Sequence, residues 1–306
     1  MRGILYPARL ARLAFASSLV AAQTGSALAH GFAGDRFFPA TILTDDPFVA
    51  DEISLPQVTV NPPGPDGAKE TDIQIDLSKR ITPNFGITIG DQWQRLKPAD
   101  LPAVSGLGPL ETGAQYQLFV DGSRQAIGLV GLDVTWAHTG RQAVGAPDFT
   151  TLSPTFAFGK GFGDLPESLT WLRPWAITGN LSVDFPTRTQ SAGTANPNSF
   201  NYGFAFQYSL EFLQHHVRDV GLTAPFDRMI PLVEVSFSTA LNRGLGGQTI
   251  GTIQPGIIWA GQYVQIGAEA IIPGSRITGH GYGGVVQLHF YLDDIFPNSI
   301  GRPLFR

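Results

Sequence analysis

FNYGFAFQYSLEF, residues 200–212, decides the fold. Phe200, Tyr202, Phe204, Phe206, Tyr208, Leu210 and Phe212 fall on one parity. Asn201, Gly203, Ala205, Gln207, Ser209 and Glu211 fall on the other. A period of two is that of a β-strand with unlike faces. Strands of soluble sandwiches are usually about five or six residues long, whereas one that crosses a bilayer needs about 9–11. The run is therefore read as a spanning strand with one greasy and one polar face.

The pattern recurs along the chain. Trp175, Ile177, Leu181, Val183 and Phe185 alternate with smaller polar residues, as do Ile73, Ile75 and Leu77. Phe85, Ile87, Ile89 and Trp93 behave alike, as do Val233, Val235 and Phe237. So do Val264, Ile266, Ala268 and Ala270, and Val286, Leu288, Phe290 and Leu292. Weaker stretches at 112–121, 125–137, 150–160 and 248–260 complete eleven strands. A twelfth is read at 51–60, where Pro56 interrupts the alternation. Proline in a strand marks an edge or a bulge.

Composition agrees. The 306 residues are 43% hydrophobic and only 15% charged, with 36 glycines and 21 phenylalanines; an average soluble domain carries about 25% charge. No cysteine is present, which excludes disulfides and thiolate chemistry. The net charge of −5 shows no basic patch, so nucleic acid is not an expected partner.

Residues 1–29 have the three parts of a secretory signal: Arg2, Arg9 and Arg12, an apolar stretch at 13–22, and Ala27-Leu28-Ala29 as a cleavage pattern. Loss of the three arginines would take the net charge from −5 to −8. Beyond residue 29 no apolar run approaches the roughly 20 residues a spanning helix needs. The other spanning solution is a closed barrel, because lipid offers no partner to open strand edges.

The expected fold is thus all-β: a transmembrane antiparallel up-and-down β-barrel of about twelve strands in the bacterial outer membrane, with lipid around it. The expected division is 1–29 signal peptide, 30–50 N-terminal periplasmic or plug segment, 51–292 barrel and 293–306 tail. Outer-membrane barrels have short periplasmic turns and longer outer loops. Here 61–70, 96–111, 138–149 and 186–199 are long, while 80–83, 122–124 and 261–262 are short. The connection at 214–227 breaks the order, and 210–220 is read as a turn or two of helix. With twelve strands both termini lie on the periplasmic side.

The polar parity collects acids. Asp72, Asp76, Asp121, Asp133, Asp184, Glu211, Glu234 and Glu269 are expected to project into the lumen, with His289. Unpaired carboxylates in a narrow pore favour cations over anions. The alternative is that the acids are braced by Lys or Arg from neighbouring strands, loops or Arg36. The other parity supplies rings: Trp93, Trp136, Trp171, Trp175, Trp259, Tyr202 and Tyr208 suit interfacial girdles.

The six histidines (His30, His138, His215, His216, His280 and His289) form no ligand pattern. His215 and His216 would point to opposite faces of a strand. No nucleophile, zinc or phosphate-loop motif is present, so no catalytic residue, metal or cofactor is expected.

The stretches Thr44-Asp45-Asp46-Pro47-Phe48-Val49-Ala50-Asp51-Glu52 and Ser78-Lys79-Arg80-Ile81-Thr82-Pro83-Asn84 resemble those of proteobacterial outer-membrane transporters similar to the meta-pathway phenol-degradation family. That resemblance would cover most of the mature chain. It implies passive passage of small, often aromatic or hydrophobic compounds, and names no functional residues. A C-terminal aromatic read by the outer-membrane assembly machinery is also a property of such barrels, and Phe305 stands next to last. A channel is the leading expectation. A non-transporting structural or interaction barrel and an outer-membrane lipid-modifying enzyme are the alternatives.

Overall fold

The computed structural model describes residues 31–305; the signal segment 1–29 and His30 lie outside them. Twelve strands form one antiparallel barrel: β1 Glu52–Val60, β2 Lys69–Thr82, β3 Phe85–Lys97, β4 Glu111–Asp121, β5 Ala126–Thr135, β6 Thr151–Gly161, β7 Trp175–Pro186, β8 Ser199–Tyr208, β9 Met229–Ala240, β10 Thr249–Ala260, β11 Val264–Pro273 and β12 Gly283–Tyr291. Each pairs with its sequence neighbours, and β12 returns to β1 from Gly284↔Val60 to Tyr291↔Glu52. No edge is left, which is the condition for a sheet to sit in lipid. A four-residue strand, Val104–Leu107, extends β3 at one rim.

Side-chain parity fixes the two surfaces. Ile75, Ile89, Leu132, Phe206, Ile257 and Val286 are exposed on the outside of the wall. A contiguous apolar belt of this kind would drive association in water and is stable in hydrocarbon. Trp171, Trp175 and Trp259 fall near the rim that carries both ends of the described chain, and Trp93 and Trp136 near the opposite rim. We call these the inner and outer rims. Trp175 packs edge-on to Tyr208 with centroids 5.1 Å apart.

The twelfth strand at β1 is real, and Pro56 lies where its pairing slips: the register shifts between Ser54 and Gln57 against β2. The bulge re-phases the strand, so that Glu52, Ser54, Gln57 and Thr59 are all buried while Leu55 and Val60 are exposed.

Two expectations are corrected. The run 200–212 is not all strand. β8 stops at Tyr208, and the Ser209 hydroxyl accepts the N–H of Phe212 at 3.1 Å, turning the chain into the short helix Leu210–Phe212. A helix start competes with the ladder wherever a serine can cap it. Loop order is also broken twice on the inner rim. The two-residue and three-residue turns at 83–84 and 261–263 are short, but 162–174 and 209–228 are long. The cause is the N-terminal segment: these two connections supply the groups that grip Arg36, whose Nη1 donates to Pro174 O at 3.1 Å and whose guanidinium lies 3.8 Å from the Phe212 ring centroid.

The tail closes the same rim. The N–H groups of Leu304 and Phe305 donate to Arg80 O and Ile81 O, beyond the point where β1 pairs with β2. Asp51, fully buried, takes Lys79 at 2.5 Å and Arg80 at 2.8 Å.

Candidate functional site

Residues 31–50 lie inside the barrel. A small hairpin, Phe32–Ala33 with Arg36–Phe37, sits at the inner rim. The chain then rises into the lumen, turns at 41–46 and descends to β1. The turn is held by Asp46, whose Oδ1 accepts the Thr41 N–H at 2.7 Å, while the Thr41 hydroxyl donates to Thr44 O at 2.6 Å. Thr44-Asp45-Asp46-Pro47-Phe48, the stretch that carries the family resemblance, is thus the tip of a plug and its descending limb.

Irregular backbone at membrane depth is tolerated only where protein satisfies its N–H and C=O groups. The wall does so from several strands. Glu234 on β9 accepts the N–H of Ile42 at 2.8 Å and of Leu43 at 3.1 Å. Gln265 on β11 donates to Ala40 O at 2.6 Å. Gln117 on β4 accepts from Val49 N at 3.1 Å and donates to Pro47 O at 3.1 Å. Asn180 on β7 donates to Asp45 at 2.6 Å.

Apolar contacts complete the seat. Phe38 and Phe48 pack with Ile127 and Ala176. Phe37 packs on Ile230, Leu232, Ile258 and Ala260, and Ile42 on Ile271 and Val285. The inward parity beneath the plug therefore mixes apolar residues with polar ones such as Gln117, Gln207 and Gln265. Gly203 and Gly267 let the plug come close: a Cβ at either would fall 2.7 Å from Thr44 or 2.5 Å from Ile42.

Against the plug tip lies a cavity of about 440 Å³. It is lined by the plug's Asp45 and Asp46 and by Glu52, Asp76, Glu111, Asp133 and Asp184 from the wall, with His289 and a set of Ser, Thr and Gln side chains. Seven carboxylates line it, and no Lys or Arg does. Glu52 faces His289 Nε2 at 3.2 Å, and two others on the wall take hydroxyl donors. Asp184 accepts from Ser153 at 2.7 Å and Asp133 from Thr155 at 3.0 Å. Bracing by arginine, the alternative the sequence left open, does not operate in this chamber; Arg36 is at the inner rim instead.

Of the lumen residues read from sequence, the acids Asp76, Asp133 and Asp184 meet His289 in the chamber. Asp72 is buried nearer the outer rim and accepts from Asn61 at 2.8 Å. Glu234 and Glu269 are buried, and Glu234 accepts the plug's Ile42 and Leu43 N–H groups instead of facing the open lumen. Glu211 does not line the lumen. It is exposed on the inner-rim helix, because the strand ends before it. Asp121 ends β4 and serves its turn, accepting from Ser123 at 2.6 Å and from Arg124 N at 3.1 Å. Sequence reading missed Glu52, hidden by the Pro56 interruption, and Glu111, one residue before the expected strand. It also missed Asp45 and Asp46, which lie in no periodic run.

Ser54 Oγ and His289 Nδ1 are 2.8 Å apart, and His289 Nε2 is 3.2 Å from Glu52. The order resembles that of a hydrolase relay. Ser54 is, however, paired across the sheet with Asp76 in a chamber of carboxylates. An oxyanion forming there would be repelled, where catalysis requires donors. The three residues tie the β12–β1 seam.

No family model matches the chain, and no curated protein matches it. Among solved structures it is similar to an outer-membrane channel from Pseudomonas putida F1, with 10% identity and a TM-score of 0.55, covering 83% of this chain and 99% of that one. The fold is that of a bacterial outer-membrane β-barrel. The KdgM porin (10% identity, TM-score 0.47, 78% of this chain and 98% of that one) and the NanC porin (8%, 0.47, 77% and 98%) are also similar. With its lipid-facing belt, the barrel belongs in the outer membrane.

Proposed function

We propose that this barrel is an outer-membrane channel that passes small cationic or neutral solutes and rejects anions. The supporting observation is the chamber: seven carboxylates and no Lys or Arg in about 440 Å³. Charges of one sign at a narrow point in a low-dielectric wall set the ion preference of a pore. The phenol-pathway resemblance implies aromatic or hydrophobic solutes. The chamber's polar lining suits a solute that donates hydrogen bonds, such as an ammonium or a neutral phenol, better than a hydrocarbon or an aromatic acid. The plug occupies the inner half, so passage requires its displacement.

The test is reconstitution of the folded, full-length protein in planar bilayers and liposomes. A reversal potential in a KCl gradient should show cation preference, and Asp133→Asn with Asp184→Asn should reduce it. Solute uptake should rank an amine above a carboxylate of equal size. An anion preference sinks the solute class. Absence of both conductance and uptake, with the plug seated and with it loosened, selects instead a non-transporting barrel, the reading that the filled inner half favours.

A further inference from the structure

Three cations stand together on the lipid-facing side of the wall at the outer rim. Lys69 on β2 and Lys97 on β3 are directly opposite each other in the ladder, and Arg95 is two residues below Lys97 on the same parity. That parity is the outward one: it continues into Ile73 and Ile75 on β2 and into Trp93 and Ile89 on β3, all exposed on the outside. Lys69, Arg95 and Lys97 are exposed as well. Like charges directly opposite on a sheet destabilise it, so the arrangement costs free energy unless something negative lies over it.

The described protein supplies nothing negative there. Among the described residues the Lys and Arg side chains in ion pairs are Lys79, Arg80, Arg124, Lys160 and Arg188. Acids close in sequence to the three cations are engaged elsewhere. Glu70 faces inward and accepts from Gln94, Asp66 accepts the Ala68 N–H, and Asp91 lies on the far side of Trp93 and accepts the Gln92 N–H. The inner rim is built the other way. Lys79 there donates to Asp51 at 2.5 Å and to two tail carbonyls, and Lys160 donates to Asp164 at 2.8 Å and to Arg124 O. Cations that merely reach for water occur at either interface; here the protein compensates them at one rim and leaves them bare at the other.

The cations also sit at a defined height. The outward face is ordered in three rows. Lys69 and Lys97 form the upper row, Thr71, Arg95 and Ser105 the middle one, and Ile73, Trp93 and Leu107 the lower one. The short strand Val104–Leu107 thus widens the patch, and Arg141 holds it by donating to Ser105 O at 2.5 Å. Trp93 marks the interface, where aromatic belts lie. At about 3.4 Å per residue and a tilt of about 40°, Arg95 stands about 5 Å above it and Lys97 about 10 Å. The headgroup layer on each side of a bilayer is about 5–8 Å deep. The rows therefore run from acyl chains to phosphates.

We propose that Lys69, Arg95 and Lys97 bind the phosphate groups of a phosphorylated glycolipid of the outer leaflet, of the lipid A type. The long loops place this rim on the outer side of the membrane. The Arg95 fork suits two oxygens of one phosphate, and the two lysines act as point charges on either side of it. Ile73, Trp93 and Leu107 lie along the acyl chains below. The bound lipid removes the repulsion between Lys69 and Lys97 and seals this side of the wall, independently of what the channel passes.

The test is binding of a fluorescent, bis-phosphorylated lipid A to the folded, full-length protein in detergent. The proteins are wild type, the double variant Lys69→Gln with Lys97→Gln, and Arg124→Gln, whose side chain is 78% exposed on an inner-rim turn. Removing two cations from the attraction to an anionic headgroup should weaken binding roughly 30-fold. Arg124→Gln should match wild type. Lipid A stripped of both phosphates should bind wild type as weakly as the double variant binds the phosphorylated form, and added KCl should weaken the wild-type complex. If the double variant lacks the heat-modifiable gel shift of a folded barrel, Arg95→Gln replaces it, with an expected loss of about fivefold. Binding by the folded variant within about twofold of wild type overturns the proposal, as does equal binding of the phosphate-free lipid. A variant that keeps its lipid but loses cross-linked oligomers also overturns it, since the patch would then face the acidic loops of a second copy.

Discussion

Phe38→Ala should release the plug without unfolding the barrel. Phe38 is fully buried among Phe48, Ile127 and Ala33, and its ring edge lies against Gly159. Truncating a buried Phe costs about 3–5 kcal/mol, by lost transfer energy and a residual cavity. The twelve-stranded wall cannot collapse to fill the space, but the plug is a single segment that can leave. The loss therefore falls on the docked–undocked equilibrium, as a local opening with its own free energy. Taking about 3 kcal/mol, and a factor of ten per 1.4 kcal/mol, the undocked fraction rises about 100-fold. The chain has no cysteine, so Ala40→Cys gives a single reporter at a site 1% exposed. Its maleimide reaction rate, read by mass shift under native conditions, is proportional to the undocked fraction. Phe38→Ala should accelerate it about 100-fold by the same arithmetic, and Phe38→Leu, which leaves most of the apolar volume, less than about tenfold. Rates within twofold of the parent would refute the reasoning, because they would mean that the Phe38 cluster does not hold the segment in place.

Asp51→Asn removes the fully buried negative charge, and one of the two acceptor oxygens, that Lys79 and Arg80 share. Taking one partner from a buried pair costs about 3 kcal/mol or more, so the urea midpoint for unfolding in detergent should fall, and an unchanged midpoint would show that Asp293 alone satisfies Arg80. Gly34→Ala adds a Cβ 2.4 Å from Gly122 O at a φ of +62°, and it should speed Ala40→Cys labelling by loosening the inner-rim hairpin, whereas Gly145→Ala, with nothing within 4 Å, should not. In the outer loops the Asp148 carboxyl is held below its ordinary range, first by the Ser191 hydrogen bond at 2.7 Å and also by Arg188 at 2.8 Å. A folded-state value below the unfolded one means that the stabilisation is present above the ordinary carboxylate range and is lost as pH falls through the depressed value. Pepsin cleavage of the loop at 187–198 should accordingly rise toward the acid end of the enzyme's range for wild type; Asp148→Asn should be cleaved alike across it.

The wall was legible because its two faces meet unlike solvents. Phe200, Tyr202, Phe204 and Phe206 must be apolar for lipid while Asn201 and Gln207 need not be, and that contrast is written in single residues. Legibility failed where one residue changed the rule locally. Ser209 caps a helix and carries Glu211 out of the lumen. Pro56 sits in a bulge that keeps Glu52 and Gln57 on one face despite the broken parity. The interior acids Asp76, Asp133 and Asp184 could be placed on the inward face, but parity does not report what stands opposite them.

By itself the sequence determined an all-β barrel of twelve strands with a lipid-facing belt and an acidic inward face, since these follow from a period of two, strand length and charge. Only the tertiary structure decided that 31–50 enters the barrel, that Ile127, Ala176 and Ile258 give it an apolar seat, and that seven carboxylates meet around one chamber while Glu234 is taken by the plug's N–H groups. A segment without period gives no signal of where it packs. Its position is set by complementary long-range partners, Glu234 for two N–H groups and Gln117 for a limb of the turn, and such partners are adjacent only after the barrel has closed.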